Sequence, residues 1–460
     1  MNRRHFLKTA GAVSMGFMGL GLLSRCGVDL SSRSTGLIDD PFGPLLPDPE
    51  GVLDLPDGFR YTIVSRAGDA MDDGFILPHR PDGMAAFPGP DGRTVVIRNH
   101  EVNSDASPTE SAFGADLALL ARLAPDRIYD PGDGKRFGMG GTTTFVFDTR
   151  TQTLERQFLS LTGTIRNCAG GPTPWNTWLT CEENVDRADG QLRRDHGFIF
   201  EVPASANGLV APDPLTAMGR FNHEAVAVDP ASGIVYQTED RGDGLLYRFI
   251  PTTPGTLRNG GRLQALAARD RHALDTRNWA GKEIAPGTVF AVQWIDLEDV
   301  LSPEDDLRFQ GFERGAARFA RGEGMWYGED AVYFACTNGG RTKKGQIWKY
   351  IPSPVEGTAG EAGQPGTLEL FVEPNDGNII DNADNLTVAP WGDLIVCEDG
   401  SGDQFLVGIT PEGQVYKFAR NAISDSELAG CTFSPDGTTL FVNIQHSGLT
   451  VAITGPWRSA

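Results

Sequence analysis

The sequence predicts an all-β-dominated fold, a six-bladed β-propeller with a few helical insertions. The 460 residues include 57 glycines and 30 prolines, and no long stretch has the 3.6-residue apolar period of a helix. Short apolar segments alternate instead with clusters of turn residues, which is typical of β-strands. Six stretches share one hairpin pattern, and repetition around an axis is how propellers protect the edges of their sheets.

Residues 1–30 predict a signal peptide and linker. Arg3 and Arg4 precede a short apolar run, as in a signal read by the twin-arginine export machinery. We therefore expect a folded protein in the periplasm or outside the cell. Cys26 follows the run, but Arg25 occupies the place of the small residue that a lipoprotein cleavage site needs, so a lipid anchor is not expected. No other segment approaches the ~18 apolar residues of a membrane span, so stable membrane insertion is not expected either.

Residues 31–60, rich in Pro, Asp and Gly, are expected to form an extended lead-in. Residues 61–460 are expected to form a single propeller domain with insertions near 103–137 and 255–320. Because a closed ring needs no partner, we expect a monomer.

The charge and the cysteines restrict the partners further. The net charge of −21 argues against nucleic acid and suits divalent cations, although an acidic surface also keeps an exported protein soluble. Five cysteines follow Cys26 at wide spacings. This odd number argues against a dense disulfide framework, and at least one cysteine should be a free thiol or a ligand.

Each predicted hairpin combines an apolar strand, a turn and a second apolar strand. The six stretches are "DGMAAFPGPDGRTVVIRNHE" (82–101), "NCAGGPTPWNTWLTCEEN" (167–184), "NHEAVAVDPASGIVYQTEDR" (222–241), "GEGMWYGEDAVYFACTNGG" (322–340), "ADNLTVAPWGDLIVCEDG" (383–400) and "AGCTFSPDGTTLFVNIQHSG" (429–448).

In the four middle hairpins, two polar residues recur 14 or 15 positions apart. The pairs are Cys168 with Glu182, Glu224 with Glu239, Glu323 with Thr337, and Asp384 with Glu398. Since the start of one antiparallel strand lies opposite the end of the next, we expect all four pairs at one mouth of the channel. The outer hairpins offer Met84 with Arg98 and Cys431 with Gln445, which confines the predicted acidic cluster to the middle four. Solvated turn residues are the alternative reading.

Converging carboxylates repel each other, and a bound cation removes the conflict. Carboxylates suit Ca²⁺, whereas the thiolate of Cys168 suits iron, zinc or copper, so a mixed cluster is predicted. Glu183 is expected to support Glu182 or to give a second calcium contact. Cys181 is expected to be a buried strand residue without chemistry.

The sequence contains no nucleophile elbow and no phosphate-binding glycine loop, so water activated by a metal is the predicted source of chemistry. Arg321, two residues before Glu323, could hold a phosphate oxygen or only neutralise carboxylates. His100 and His223, both in "NHE" triplets, could be ligands or hydrogen-bonded structural residues.

The stretches "NCAGGPTPWNTWLTCEEN", "GRFNHEAVAVDP", "YQTEDRGDGLLYRF", "ARGEGMWY" and "DNADNLTVAPWGDLIVCEDG", with the twin-arginine leader, resemble the PhoX-type bacterial alkaline phosphatases. The resemblance spans roughly residues 95–445. It implies a six-bladed propeller, an Fe³⁺ and Ca²⁺ cofactor, and hydrolysis of small phosphate monoesters by a phosphoric monoester hydrolase of the alkaline phosphatase type.

Carried over to this chain, the resemblance implies a role for each site residue. The iron-side ligands would be Cys168, Glu224 and Glu323, and the mainly calcium-side ligands would be Glu182, Glu239, Asp384 and Glu398, with Glu183 beside them. Arg321 would hold the phosphate, so the expected catalytic residues are Arg321, Cys168 and Glu323. Two alternatives remain: a calcium-dependent propeller hydrolase of lactones or phosphodiesters, and a non-catalytic propeller that uses metal only for stability.

Overall fold

The computed structural model describes residues 36–134, 136–280 and 284–458, all within one compact unit. The predicted signal peptide lies outside these residues. The strands are β1 (Leu45–Leu46), β2 (Leu53–Pro56), β3 (Arg60–Arg66), β4 (Pro81–Pro88), β5 (Thr94–His100), β6 (Gly140–Asp148), β7 (Thr153–Thr164), β8 (Asn167–Pro172), β9 (Thr177–Glu182), β10 (Ile199–Pro203), β11 (His223–Val228), β12 (Val235–Glu239), β13 (Gly244–Pro251), β14 (Gly261–Ala268), β15 (Val289–Asp296), β16 (Arg318–Phe319), β17 (Gly322–Tyr327), β18 (Val332–Cys336), β19 (Gln346–Ile351), β20 (Thr367–Val372), β21 (Ala383–Val388), β22 (Leu394–Glu398), β23 (Phe405–Ile409), β24 (Val415–Asn421), β25 (Leu428–Phe433), β26 (Thr439–Ile444) and β27 (Leu449–Thr454).

Helices are few and short. The α-helix α1 spans Leu307–Glu313, and the 3₁₀ helices are Pro90–Gly92, Pro108–Glu110, Ala118–Arg122, Pro125–Arg127, Thr216–Met218, Leu257–Asn259 and Glu361–Gly363. Within the described ranges, no helix has the length and apolar character needed to cross a membrane. The predicted all-β class is therefore confirmed.

The structure forms an antiparallel hairpin in each of the six predicted stretches. The hairpins are β4–β5, β8–β9, β11–β12, β17–β18, β21–β22 and β25–β26. The first strand of each hairpin contacts the first strand of the next, and β25 contacts β4. The six first strands therefore close a propeller-like ring around one axis.

The outer strands extend the hairpins into five sheets rather than six separate ones. Two sheets have four strands, β4-β5-β6-β7 and β25-β26-β27-β3, and one has three, β8-β9-β10. A sheet of six strands runs β1-β2-β24-β23-β22-β21. The remaining two hairpins share a sheet of ten strands, because the long strand β15 pairs with β14 at one end and with β20 at the other.

The two ends of the domain close the ring together. Strand β3 from the start of the domain pairs with the last strand, β27, so the ring is closed by hydrogen bonds between distant parts of the chain. An aromatic cluster covers this junction: the ring centroids of Phe59 and Trp457 are 4.7 Å apart, and those of Phe42 and Trp391 are 5.6 Å apart. Burial of such large rings is a major stabilising contribution.

Candidate metal centre

A β-bulge near the start of each first strand aims side chains at the axis. Regular pairing stops between residues 81 and 84 of β4, and the other five first strands have the same irregularity. A bulge adds an unpaired residue and redirects its side chain. In five hairpins the first unpaired residue can bind a metal: Asp82, Cys168, Glu224, Glu323 and Asp384.

In the first four hairpins the second bulge residue is Gly or Ala, because the first strands converge here. A Cβ atom on Gly324 would lie 2.5 Å from the Cα atom of Asn385 in the neighbouring first strand. Beyond this point the axis is nearly filled, since a cavity of about 20 Å³ remains among residues such as Met325 and Trp178. The bulge side chains therefore face a site that is closed on one side.

One backbone hydrogen bond recurs in all six hairpins and defines the open side, which we call the mouth. The N–H of the residue directly after the second strand donates to the carbonyl of the residue directly before the first strand. The donors and acceptors are Glu101 and Arg80, Glu183 and Arg166, Asp240 and Asn222, Thr337 and Arg321, Asp399 and Asn382, and Gln445 and Glu427. Each hairpin thus presents two residues at the same height around the mouth.

Seven side chains form three overlapping groups suited to metal ions. Within each group, one possible ligand atom from each residue lies within 4.8 Å of the others. The groups are Asp82, Glu101 and Cys168; Cys168, Glu183 and Glu224; and Glu224, Glu323 and Asp384. Since Cys168 and Glu224 each belong to two groups, the ligands form one continuous arc.

Glu224 is the strongest sign that a cation belongs here. Its side chain is fully buried, and neither carboxylate oxygen has a hydrogen-bond partner among the described residues. A buried carboxylate without any partner is very costly, and a cation beside it removes that cost. The carboxylate and thiol donors present fit a mixed centre of hard and softer metal ions.

The acid–base properties of the arc agree with this requirement. Burial raises the pKa of Glu224 well above its usual value, and the nearby carboxylates of Glu323 and Glu183 raise it further. Burial together with Asp82 and Glu224 likewise raises the pKa of the Cys168 thiol. The raised pKa values favour the protonated forms of these groups, whereas bound metal ions favour the charged forms.

Arg321 lies beside the arc, at the mouth. Its Nε and Nη2 atoms each donate to Asp240, both at 2.7 Å, and Nη2 also donates to Glu323 at 2.8 Å. The side chain is 38% exposed, and its Nη1 group has no hydrogen-bond partner in the described chain. The guanidinium is thus held by two carboxylates with one donor group free.

Three predicted ligands lie away from the arc. Glu182 accepts hydrogen bonds from the N–H groups of Ile165, Gly197 and Phe198 and contacts His196 Nδ1 at 2.6 Å. Glu239 accepts from the hydroxyl of Tyr247 and the N–H of Leu245. Glu398 accepts from the N–H groups of Asp381 and Phe405.

The predicted register is wrong at these positions. Ladder pairing places Glu182 opposite Asn167, and Glu398 opposite Ala383 rather than Asp384. Because successive strand residues point to opposite faces, the side chains that reach the mouth belong to the following residues, Glu183, Asp240 and Asp399. Only in the fourth hairpin does the predicted residue, Thr337, occupy the mouth position.

The first hairpin also contributes to the arc, contrary to the sequence prediction. The prediction used Met84 and Arg98, which are directly paired but lie further along the ladder. The sequence did not predict Asp82 and Glu101, because the 3₁₀ turn Pro90–Gly92 lengthens this hairpin and breaks the spacing of 14 or 15 residues. The shared spacing Arg-x-Asp, Arg-x-Cys and Arg-x-Glu at residues 80–82, 166–168 and 321–323 could have revealed the position of Asp82.

The two histidines and the remaining cysteines have structural surroundings. His100 contacts the carbonyl of His79 and the hydroxyl of Thr143 through its two ring nitrogens, and His223 Nε2 donates to the carbonyl of Gly219. All five cysteines of the described chain are free and buried. Cys181 packs in an apolar cluster, as the sequence predicted.

The fold and the arc define a class of protein: an all-β, propeller-like protein with a cluster of acidic residues and one thiol at the mouth of its ring. Comparison with known families is more specific. The sequence matches the family of alkaline phosphatase PhoX over residues 40–448, and the chain belongs to this family. This membership confirms the resemblance drawn from the motifs, and it is a family of metal-dependent phosphatases.

One solved structure supports the fold. Pseudomonas fluorescens PhoX in complex with vanadate, a transition state analogue, has 18% identity and a TM-score of 0.62, with 92% of this chain and 98% of that chain covered. A gluconolactonase from Xanthomonas campestris has 15% identity and a TM-score of 0.37, covering 91% and 99%. A luciferin-regenerating enzyme has 9% identity and a TM-score of 0.43, covering 86% and 97%. The last two scores are too low to bear on function. Comparison with curated proteins gives no match.

Proposed function

We propose that this protein is an exported, metal-dependent phosphatase that hydrolyses small phosphate monoesters at the mouth of a six-bladed propeller. Twin-arginine export would deliver it, folded and monomeric, to the periplasm or beyond. Its centre would hold Fe³⁺ and Ca²⁺ together. One observation carries the proposal: the buried carboxylate of Glu224 has no hydrogen-bond partner among the described residues. This carboxylate lies in the same arc as Cys168, in a protein of the PhoX family.

The side chains would divide the metal-binding task. Cys168, Glu224 and Glu323 would hold iron: Glu224 shares one group with the thiol of Cys168 and the next group with Glu323. Asp82, Glu101 and Asp384, at the two ends of the arc, would hold calcium, and Glu183, grouped with Cys168 and Glu224, would support it. Bound metal ions would supply Lewis-acid activation of the phosphoryl group and of an attacking water.

Arg321 would bind and orient the phosphate. Two hydrogen bonds from its guanidinium to Asp240 fix the plane of the group, and the free Nη1 group can donate to a phosphate oxygen. Asp240 therefore acts as a positioning residue. The filled axis behind the arc means that the ester enters from the mouth and that its alcohol group remains on the solvent side.

The test compares Cys168→Ala with Cys181→Ala, which removes a buried cysteine of the same hairpin outside the arc. Both proteins are exported with the native leader, analysed for metals, and assayed with p-nitrophenyl phosphate with and without a calcium chelator. We expect Cys168→Ala to lose iron and most turnover, and Cys181→Ala to retain both.

Other results would favour the alternatives. Full phosphatase activity without iron in Cys168→Ala would favour a calcium-only hydrolase. A melting temperature that depends on calcium, without turnover of any ester, would favour a non-catalytic propeller. Absence of both iron and turnover in the parent protein would refute the proposed function.

A further inference from the structure

A second arginine occupies the same register position as Arg321. The carbonyl of Arg166 accepts the N–H of Glu183, just as the carbonyl of Arg321 accepts the N–H of Thr337. Both residues have left-handed backbone conformations, with φ of 55° and 53°. This conformation is unfavourable for a residue with a side chain, and such strain concentrates at functional sites.

The side chain of Arg166 is held as that of Arg321 is held, between carboxylates of the arc. Its Nε donates to Glu101 at 2.8 Å, and its Nη2 lies 3.0 Å from Glu183. The side chain is 35% exposed, and Nη1 has no hydrogen-bond partner among the residues described. Cations bound by Glu101 and Glu183 would draw these carboxylates away from Arg166, and its positive charge at the mouth would then be available to an anion.

The two arginines lie on hairpins that are not consecutive along the ring. The hairpin β11–β12 separates their hairpins, and its residue at the same position is Asn222, whose Nδ2 donates to Glu183 at 3.1 Å. A phosphate held by Arg321 therefore leaves Arg166 for another group of the same substrate, on the side where the alcohol remains.

We propose that Arg166 is a second anion-binding residue, which selects phosphate monoesters whose alcohol carries a second anionic group, a carboxylate or another phosphate. The inference rests on the proposed function. Guanidinium groups bind both anions by paired, charge-assisted hydrogen bonds, so the two chemistries share one recognition mechanism.

Arg80 provides a matched control. It has the same register position and a φ of 49°, and its side chain is 38% exposed, against 35% for Arg166. However, its Nε donates to Glu110, outside the arc. Arg80→Gln therefore removes the same charge from the same backbone position without touching the carboxylates of the centre.

The activity test uses metal-loaded parent, Arg166→Gln and Arg80→Gln proteins with matched esters. Glycerol 2-phosphate and 2-phosphoglycerate differ by a carboxylate, and fructose 6-phosphate and fructose 1,6-bisphosphate differ by a phosphate. We expect Arg166→Gln to lower the kcat/KM ratio of the doubly anionic to the singly anionic ester about tenfold, the effect of losing one charge-assisted hydrogen bond. Arg80→Gln should leave this ratio unchanged.

A binding test separates this inference from the proposed function. Methylphosphonate and phosphonoacetate differ by one carboxylate and have no ester to hydrolyse. Calorimetric titration of the loaded proteins should show that Arg166→Gln weakens phosphonoacetate about tenfold and methylphosphonate much less. A protein that binds both but hydrolyses no ester would refute the proposed function, and the binding ratio would still decide the role of Arg166.

Two results would overturn the inference. Equal losses for both ligands in Arg166→Gln would mean that Arg166 only supports Glu101 and Glu183. A change of the ratio in Arg80→Gln as large as in Arg166→Gln would mean a general effect of charge. If Arg166→Gln does not fold, Arg166→Lys replaces it: the lysine keeps the charge without the paired donors, and the ratio should fall a few-fold.

Discussion

Replacing Glu224 by Gln should raise the stability of the metal-free protein and lower the stability that bound metal adds. In metal-free protein the protonated form of the buried Glu224 side chain is favoured, because burial and the neighbouring carboxylates raise its pKa well above 4.5. When folding raises the pKa of a carboxyl group, the folded state loses stability as the pH rises above the pKa of the unfolded state. This loss stops growing once the pH exceeds the pKa of the folded state. The amide of Gln carries no such cost.

The size of the effect follows from the pH. At pH 7.5, three units above 4.5, the ceiling of the cost is about 4 kcal/mol, since each unit is worth about 1.36 kcal/mol. At pH 5 the ceiling is below about 1 kcal/mol. Glu224→Gln should therefore stabilise chelated protein at pH 7.5 by up to about 4 kcal/mol, and the gain should almost vanish at pH 5.

The metal-loaded protein should show the opposite tendency. Loss of a ligand weakens metal binding, and each hundredfold loss of affinity reduces the stability that the metal adds by about 2.7 kcal/mol. The assay is urea unfolding of chelated and loaded protein at both pH values. The control is Glu182→Gln, which removes a carboxylate held by backbone N–H groups and His196 and should destabilise both forms by about 1–3 kcal/mol. Our reasoning is refuted if Glu224→Gln lowers the stability of chelated protein at pH 7.5 or leaves the metal contribution unchanged.

Two further predictions concern the scaffold. Burial alone would lower the pKa of His196, but the carboxylates of Glu182 and Asp130 outweigh burial and raise the pKa from 6.5 to about 9. The stability that the charged His196 gains from these carboxylates is present below pH 6.5 and is lost as the pH rises through about 9. Urea unfolding should therefore show a decrease of about 3 kcal/mol between pH 6.5 and pH 10, absent in His196→Gln, and an equal decrease in that variant would contradict the assignment. Gly324→Ala should destabilise the protein by about 1–3 kcal/mol, because the added Cβ would lie 2.5 Å from a backbone atom. The control is Gly363→Ala, whose Cβ meets open space and which should change stability by less than about 0.5 kcal/mol. Equal melting temperatures for the two variants would refute the crowding at Gly324.

The hairpins could be predicted from the sequence because each is a local pattern of apolar strand, turn and apolar strand. The candidate ligands at the starts of the first strands, Cys168, Glu224, Glu323 and Asp384, were predicted from the same pattern, and the structure brings them together. Fixed spacing failed for the second strands because bulges and turns change the count: Asp240 follows Glu224 by 16 residues, whereas Thr337 follows Glu323 by 14. The joining of two hairpins through β15 depends on contacts distant in sequence, which local patterns do not reveal.

Two acidic residues stand side by side at the ends of three second strands. This explains why it mattered that the sequence prediction chose the first residue of each pair instead of the second. In Glu182-Glu183, the first carboxylate accepts backbone N–H groups from the neighbouring strand, and the second reaches the arc. Glu239-Asp240 repeats this division, since Glu239 binds the N–H of Leu245 and Asp240 binds Arg321. The alternation of strand side chains thus gives each of these three hairpins one carboxylate that fixes the sheet and one that faces the mouth. Exchange of Glu239 and Asp240 should lower the stability measured by urea unfolding and weaken the hold on Arg321, although the composition is unchanged.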